Sequence, residues 1–179
     1  MNKTFLILLV ACCLLMSCAD APEKQFGIAA LNCNLLYGFA GDGMQRELAS
    51  PSVKLVDEKT LATAPMKRSE VISEKLESLQ TNYEKVKKLS SNDENKEMLN
   101  ASLALYEFTL PVYKKEYTEL AALYDGGAGA DKIAAVEKSI SEKYGVKFEE
   151  LYNAVITTGT AYAEKHGIPV KQVNPSPSK

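Results

Sequence analysis

Residues 99–124 read LNASLALYEFTLPVYKKEYTELAALY, and their spacing decides the fold. Leu99, Leu103, Tyr106, Leu110, Tyr113, Tyr117, Leu120 and Tyr124 recur in unbroken steps of four and three. Side chains at that spacing share one helical stripe, the seam a helix presents to its neighbours in a bundle. Ser91 with Glu94 predicts a capping box at its start, and Gly126-Gly127 predicts its end. Pro111 falls inside the stripe. Proline removes one backbone donor and crowds the preceding turn, so a kink is expected there.

The stretches on either side repeat the pattern. Ile72, Leu76, Leu79, Tyr83, Val86 and Leu89 predict an amphipathic helix over 66–90. Glu74, Lys75, Glu77, Glu84, Lys85, Lys87 and Lys88 cover its solvated side. A last helix is predicted from Asp131 to His166 on Ile133, Val136, Ile140, Tyr144, Phe148, Leu151, Val155, Gly159 and Tyr162. Lys165 and His166 suit its negative end, Gly167 its C-cap and Pro169 its stop. Residues 25–48 are apolar, with Phe26, Ala30, Cys33, Tyr37 and Ala40 on one helical face. Gly38, Gly41 and Gly43 predict that this helix ends near 40. They form no phosphate loop, because no strand precedes them and no lysine–hydroxyl pair follows. Ser50-Pro51 reads as a restart signal for a short helix over Val53–Thr63. No strand is expected. The fold class is all-α, an antiparallel bundle of about four helices.

The N-terminus supplies an address. Lys3 is a positive n-region, and Thr4–Met16 is an apolar run too short to span a bilayer comfortably. It ends in Leu15-Met16-Ser17-Cys18, which resembles the lipobox of bacterial lipoproteins, with Met16 larger than usual at its position. A small residue before the cut admits the bond to the signal peptidase, and the Cys18 thiol carries the thioether-linked lipid. Several acyl chains, each buried CH₂ contributing about 0.8 kcal/mol, anchor a protein without a spanning helix. Ala19, where enterobacterial inner-membrane lipoproteins carry aspartate, implies outer-membrane delivery. The expected organisation is a signal peptide over 1–17, a lipidated tether over 18–25, a helical domain over 26–168 and a disordered tail over 169–179.

Composition excludes several functions. The net charge is −2 and becomes −3 once Lys3 is removed, so nothing favours nucleic acid. Cys12 and Cys13 leave with the signal peptide and Cys18 is lipidated. Cys33 is then the lone thiol, unable to form an internal disulfide and read as a small core residue. The one histidine, His166, cannot assemble a zinc or di-iron site, and one free cysteine cannot attach a c-type haem. Adjacent carboxylates such as Asp57-Glu58 and Glu149-Glu150 point different ways on a helix. No nucleophile elbow or paired base is visible. Catalytic, metal and cofactor residues are therefore not expected, nor is an enzyme. The unusual feature is tyrosine on the seams. Tyr106, Tyr113 and Tyr117, beside the Pro111 kink, are candidates for a ligand pocket with apolar walls and hydrogen-bonding tips. The expected role is a binding or interaction module of the envelope whose partner beyond the membrane is not named by the sequence. A purely structural envelope lipoprotein is the alternative.

Leu103-Ala-Leu-Tyr-Glu-Phe108, Val112-Tyr-Lys-Lys-Glu-Tyr-Thr-Glu-Leu120 and Ala161-Tyr-Ala-Glu-Lys-His-Gly-Ile168 together resemble a family of helical surface lipoproteins of spirochaetes and Bacteroidetes. Leu55-Val-Asp-Glu-Lys-Thr60 is similar to the family's first-helix motif, with Lys59 where glutamine is usual. The glycine-rich segment 38–43 departs from the family pattern. The resemblance covers roughly residues 66–170. It implies a four-helix bundle and a lipid anchor, and it implies no activity.

Overall fold

A computed structural model describes residues 20–50 and 53–170. Cys18, the expected signal peptide over 1–17 and the expected tail from 171 to 179 lie outside them. The described chain is mostly helical with one two-stranded hairpin. In order it forms α1 (Pro22–Ala29), a 3₁₀ stretch (Leu31–Leu36) and α2 (Asp42–Ala49). The hairpin of β1 (Val53–Asp57) and β2 (Ala62–Pro65) follows. Then come α3 (Arg68–Lys87), α4 (Lys96–Val112), a π-helical turn (Tyr113–Tyr117), α5 (Thr118–Asp125) and α6 (Ala130–Lys165).

The three long helical stretches follow their stripes. Ile72, Leu79, Val86 and Leu89 are buried on the α3 side, and Ile140, Phe148, Val155 and Tyr162 on α6. From α4 to α5 the chain is one rod, and it is central: it packs against both α3 and α6. Its buried surface is accordingly wider than one stripe and includes Met98, Ser102, Leu105, Thr109, Val112 and Ala121. Each large apolar side chain fully buried this way contributes roughly 1.5–3 kcal/mol. Pro111 is exposed, and the expected distortion takes the form of the π turn just after it. The Thr118 hydroxyl donates to the Tyr113 carbonyl at 3.1 Å, satisfying an acceptor at the widened turn.

Helix ends are closed by identifiable bonds. Ala128 N–H donates to the Leu123 carbonyl, and Ile168 N–H to that of Ala163, both at 2.9 Å. These are Schellman closures made possible by Gly127 at φ +68° and Gly167 at φ +65°. The cap before α4 differs from the expected Ser91–Glu94 box. Asn92 and Asn95 cap it reciprocally: Asn92 Oδ1 accepts from Glu94 N–H (2.8 Å) and Asn95 N–H (3.1 Å), and Asn95 Oδ1 accepts from Asn92 N–H (2.8 Å). The Glu94 carboxylate pairs instead with Lys165 at 3.0 Å.

The N-terminal third corrects the sequence reading most. Residues 22–25, expected as tether, are the first turn of α1, with Gln25 buried. The helix stops at Ala29, and Tyr37, expected on its buried face, is exposed. Val53–Thr63 is an antiparallel hairpin and not a helix, pairing Val53 with Pro65 and Leu55 with Thr63. The physical reason is local. Val53 and Val56 are β-branched, and Asp57 Oδ1 accepts from the N–H of Lys59 (2.8 Å) and Thr60 (3.2 Å), folding the chain back. The stretch 55–60 that resembles a family first-helix motif is therefore strand and turn.

The elements alternate in direction, which separates two ends. At one end Gln25 meets Asn95 and Tyr162: Asn95 Nδ2 donates to Gln25 Oε1 at 2.6 Å, and the Tyr162 hydroxyl lies 3.4 Å from the same oxygen. Asp20, the end of α3, the start of α4 and the end of α6 gather there. At the other end Arg68 and Ser69 meet Asp125, and the hairpin leads into α3. The 20 residues of α3 separate the two ends by about 30 Å.

Candidate functional site

Tyr106, Tyr113 and Tyr117 are all in the core, with relative exposures of 0%, 0% and 2%. The structure brings Tyr113 and Tyr117 together, ring centroids 4.9 Å apart. Tyr106 faces Tyr83 and Cys33 instead. Phe39, unrecognised as a core anchor in the sequence, stacks against Tyr113 (5.6 Å), Tyr117 (5.8 Å) and Phe148 (4.8 Å). Met44 sits behind them, its sulfur accepting from the Tyr113 hydroxyl at 3.4 Å. The Tyr117 hydroxyl accepts from Ala40 N–H at 2.8 Å. The remaining cavity beside Tyr117 and Met44 is about 10 Å³, room for one water at most. The space expected of a ligand pocket is filled by side chains from the glycine-rich segment.

That segment reaches the core by a close backbone crossing. Gly38 adopts φ +80°, and a Cβ on it would stand 2.7 Å from the Gly43 Cα. The glycines read as a helix terminator thus also fold Phe39 and Met44 inward.

The other buried polar groups are arranged to hold helices together. Cys33 is 1% exposed. Its thiol donates to the Ala29 carbonyl at 3.3 Å and contacts the Ser102 hydroxyl at 3.5 Å. Burial pushes the thiol up in pKa, against the lowering effect of Ser102 and Tyr106, so it is not the thiolate that chemistry needs. Burial likewise raises Tyr106, Tyr113 and Tyr117, the last to about 12. The Tyr106 hydroxyl is buried with no hydrogen-bond partner among the described residues. His166 caps α6, its ring against Tyr162 at 4.3 Å and its Nε2 3.7 Å from Glu94. No group of three or more His, Cys, Asp or Glu among the described residues is placed to hold a metal.

The surface is more informative. On the hairpin, Val53, Leu55, Val56 and Leu61 are 60%, 51%, 56% and 71% exposed. Four large apolar side chains in solvent on a nine-residue stretch are unusual for a surface that meets only water. Among the described residues each strand pairs only with the other, leaving outward N–H and C=O groups open. At its root, between the 3₁₀ stretch and the first turns of α3, lies a cleft of about 260 Å³. A furrow of about 590 Å³ along the outer side of α3 has Leu76 as its one apolar side chain among Ser73, Gln80, Thr81 and charged neighbours, a solvated face and not a ligand site. The sequence predicts a helix over the hairpin because Ser50-Pro51 ahead of it fits a helix start. The alternation of Val53 and Leu55 with Lys54 was the available signal.

Among the described residues no helix is long and apolar enough to cross a membrane. No protein-family model, curated protein or solved structure matches the chain.

Proposed function

We propose that this chain is a bacterial envelope lipoprotein, anchored through lipid on Cys18, whose helical domain is an interaction module presenting the β1–β2 hairpin to a protein partner. In this reading the N-terminal segment, α3, α4–α5 and α6 act as the four rods of an antiparallel bundle. The lipobox supports the anchor, Ala19 supports the outer membrane, and the resemblance to helical surface lipoproteins agrees with the anchor. The exposed apolar hairpin is the observation that carries the interaction role. Only Ala19 separates Cys18 from Asp20, so the anchor leaves from the end opposite the hairpin and holds the hairpin away from the lipid surface.

A structural role without a ligand is the second reading, favoured by the filled space around Phe39. Two measurements test the proposal, the first its anchor and the second the choice between the two readings. Mass spectrometry of the mature N-terminus is expected to show an acylated Cys18; an unmodified terminus elsewhere refutes the anchor. A photo-crosslinking residue at Val56, compared in intact cells with one at the still more exposed Val146 of α6, is expected to give a discrete adduct only at Val56. Equal or absent adducts at both positions favour the structural reading.

A further inference from the structure

We infer that the cleft at the hairpin's root is a docking slot for an extended segment of a partner protein carrying one large apolar side chain beside a lysine or arginine. The inference rests on the interaction role proposed above and names the chemistry of the partner.

Leu35, Met66 and Val71 form the apolar floor. Met66 and Val71 are buried, and Leu35 remains 44% exposed. The volume of about 260 Å³ falls under the roughly 300–1,000 Å³ of small-molecule sites. It suits a single anchoring side chain and not a cofactor. The charges at the rim differ in availability. Lys75 is held by Glu47 in an ion pair. Glu74 makes no ion pair and no hydrogen bond among the described residues. An uncompensated carboxylate beside an apolar slot favours a cation on whatever enters and disfavours an anion. Met66 of the floor directly follows β2, so a segment leaving the slot in extended form can run toward the hairpin and its open main-chain groups. A small molecule would make no use of those groups. A nucleic acid would meet Glu74 as repulsion.

The test pans a random nonapeptide display library against the mature full-length chain in detergent, followed by titration of synthesised binders. Enriched peptides are expected to carry Leu, Ile, Phe or Met adjacent to Lys or Arg. Leu35→Asp is expected to weaken a binder by about tenfold, roughly 1.4 kcal/mol. Glu74→Gln should weaken it less, and Glu74→Lys should switch the preference to Asp or Glu. Both positions are exposed, so both variants are expected to fold, with circular dichroism as the check. The inference is overturned by no enrichment, by enrichment without a charge preference, or by binders indifferent to both positions. Sedimentation showing a dimer abolished by Leu35→Asp also overturns it, in favour of a second copy as occupant. Acylation and peptide selection are read separately. An unacylated chain that selects these peptides refutes only the anchor, and an acylated chain that does not select them refutes only the slot.

Discussion

Tyr113 and Tyr117 are both buried, yet their hydroxyls have different partners, and the difference sets their mutational cost. Tyr117 accepts from the Ala40 backbone N–H. Removing the hydroxyl strands a buried donor, for which about 1–3 kcal/mol is typical. Tyr113 donates to a methionine sulfur, which needs no donor and tolerates its loss. Tyr117→Phe is therefore expected to lower the urea midpoint clearly, while Tyr113→Phe costs less than about 1 kcal/mol in unfolding free energy. Equal losses at the two positions would contradict this assignment. The seam positions of both tyrosines were legible from their spacing of four. That their rings meet Phe39 was not, because Phe39 lies outside any helical stripe and arrives through the Gly38–Gly43 crossing.

At the level of elements, α3 begins without a cap of its own. Lys67 offers no side-chain acceptor, and Glu70 closes only half of a capping box by accepting from Lys67 N–H at 2.8 Å. The missing acceptor comes from the end of α5. Asp125 takes the N–H of Arg68 (2.8 Å), the N–H of Ser69 (3.0 Å) and the Ser69 hydroxyl (2.7 Å). Burial pushes the Asp125 carboxyl up, but these bonds outweigh it and hold the carboxyl below the usual range. A depressed carboxylate contributes stability that is fully present above its unfolded pKa, about 3.9. That contribution is lost as pH falls through the lower folded value. Glu116, lowered by the Tyr144 hydroxyl despite partial burial, adds to the same acid limb. Thermal unfolding is expected to be flat in pH above about 5 and to fall below about 4. Asp125→Asn should cost about 1 kcal/mol at neutral pH and flatten the acid limb. An unchanged limb would remove Asp125 as its source. Pro111 belongs to this scale too. A proline inside a helix costs about 3 kcal/mol against alanine, but the π turn it precedes directs both Tyr113 and Tyr117 into the core. Pro111→Ala is expected to recover much less than 3 kcal/mol in a urea titration. A gain of that full size would show that proline, and not packing, holds the bulge.

Across the whole molecule, the contact of α1 with α6 depends on one small residue. A Cβ at Gly159 would stand 2.8 Å from the Ala30 Cβ and 3.5 Å from the Phe26 ring. Gly159→Ala gains up to about 1 kcal/mol of helix propensity and costs about 1–3 kcal/mol in overpacking. The expected net result is a lower melting temperature. A rise would mean that α1 shifts without penalty. The long helices α3, α4–α5 and α6 and their Gly127 and Gly167 closures were readable from the sequence alone. Their information is local: residues three or four apart share a face whatever the helix packs against. The course of residues 22–65, the Asp125 cap across 56–57 residues and the cleft at the hairpin's root were decided only by the tertiary structure. In those places the chain's polar groups find partners far away in sequence, and no periodicity records such a pairing.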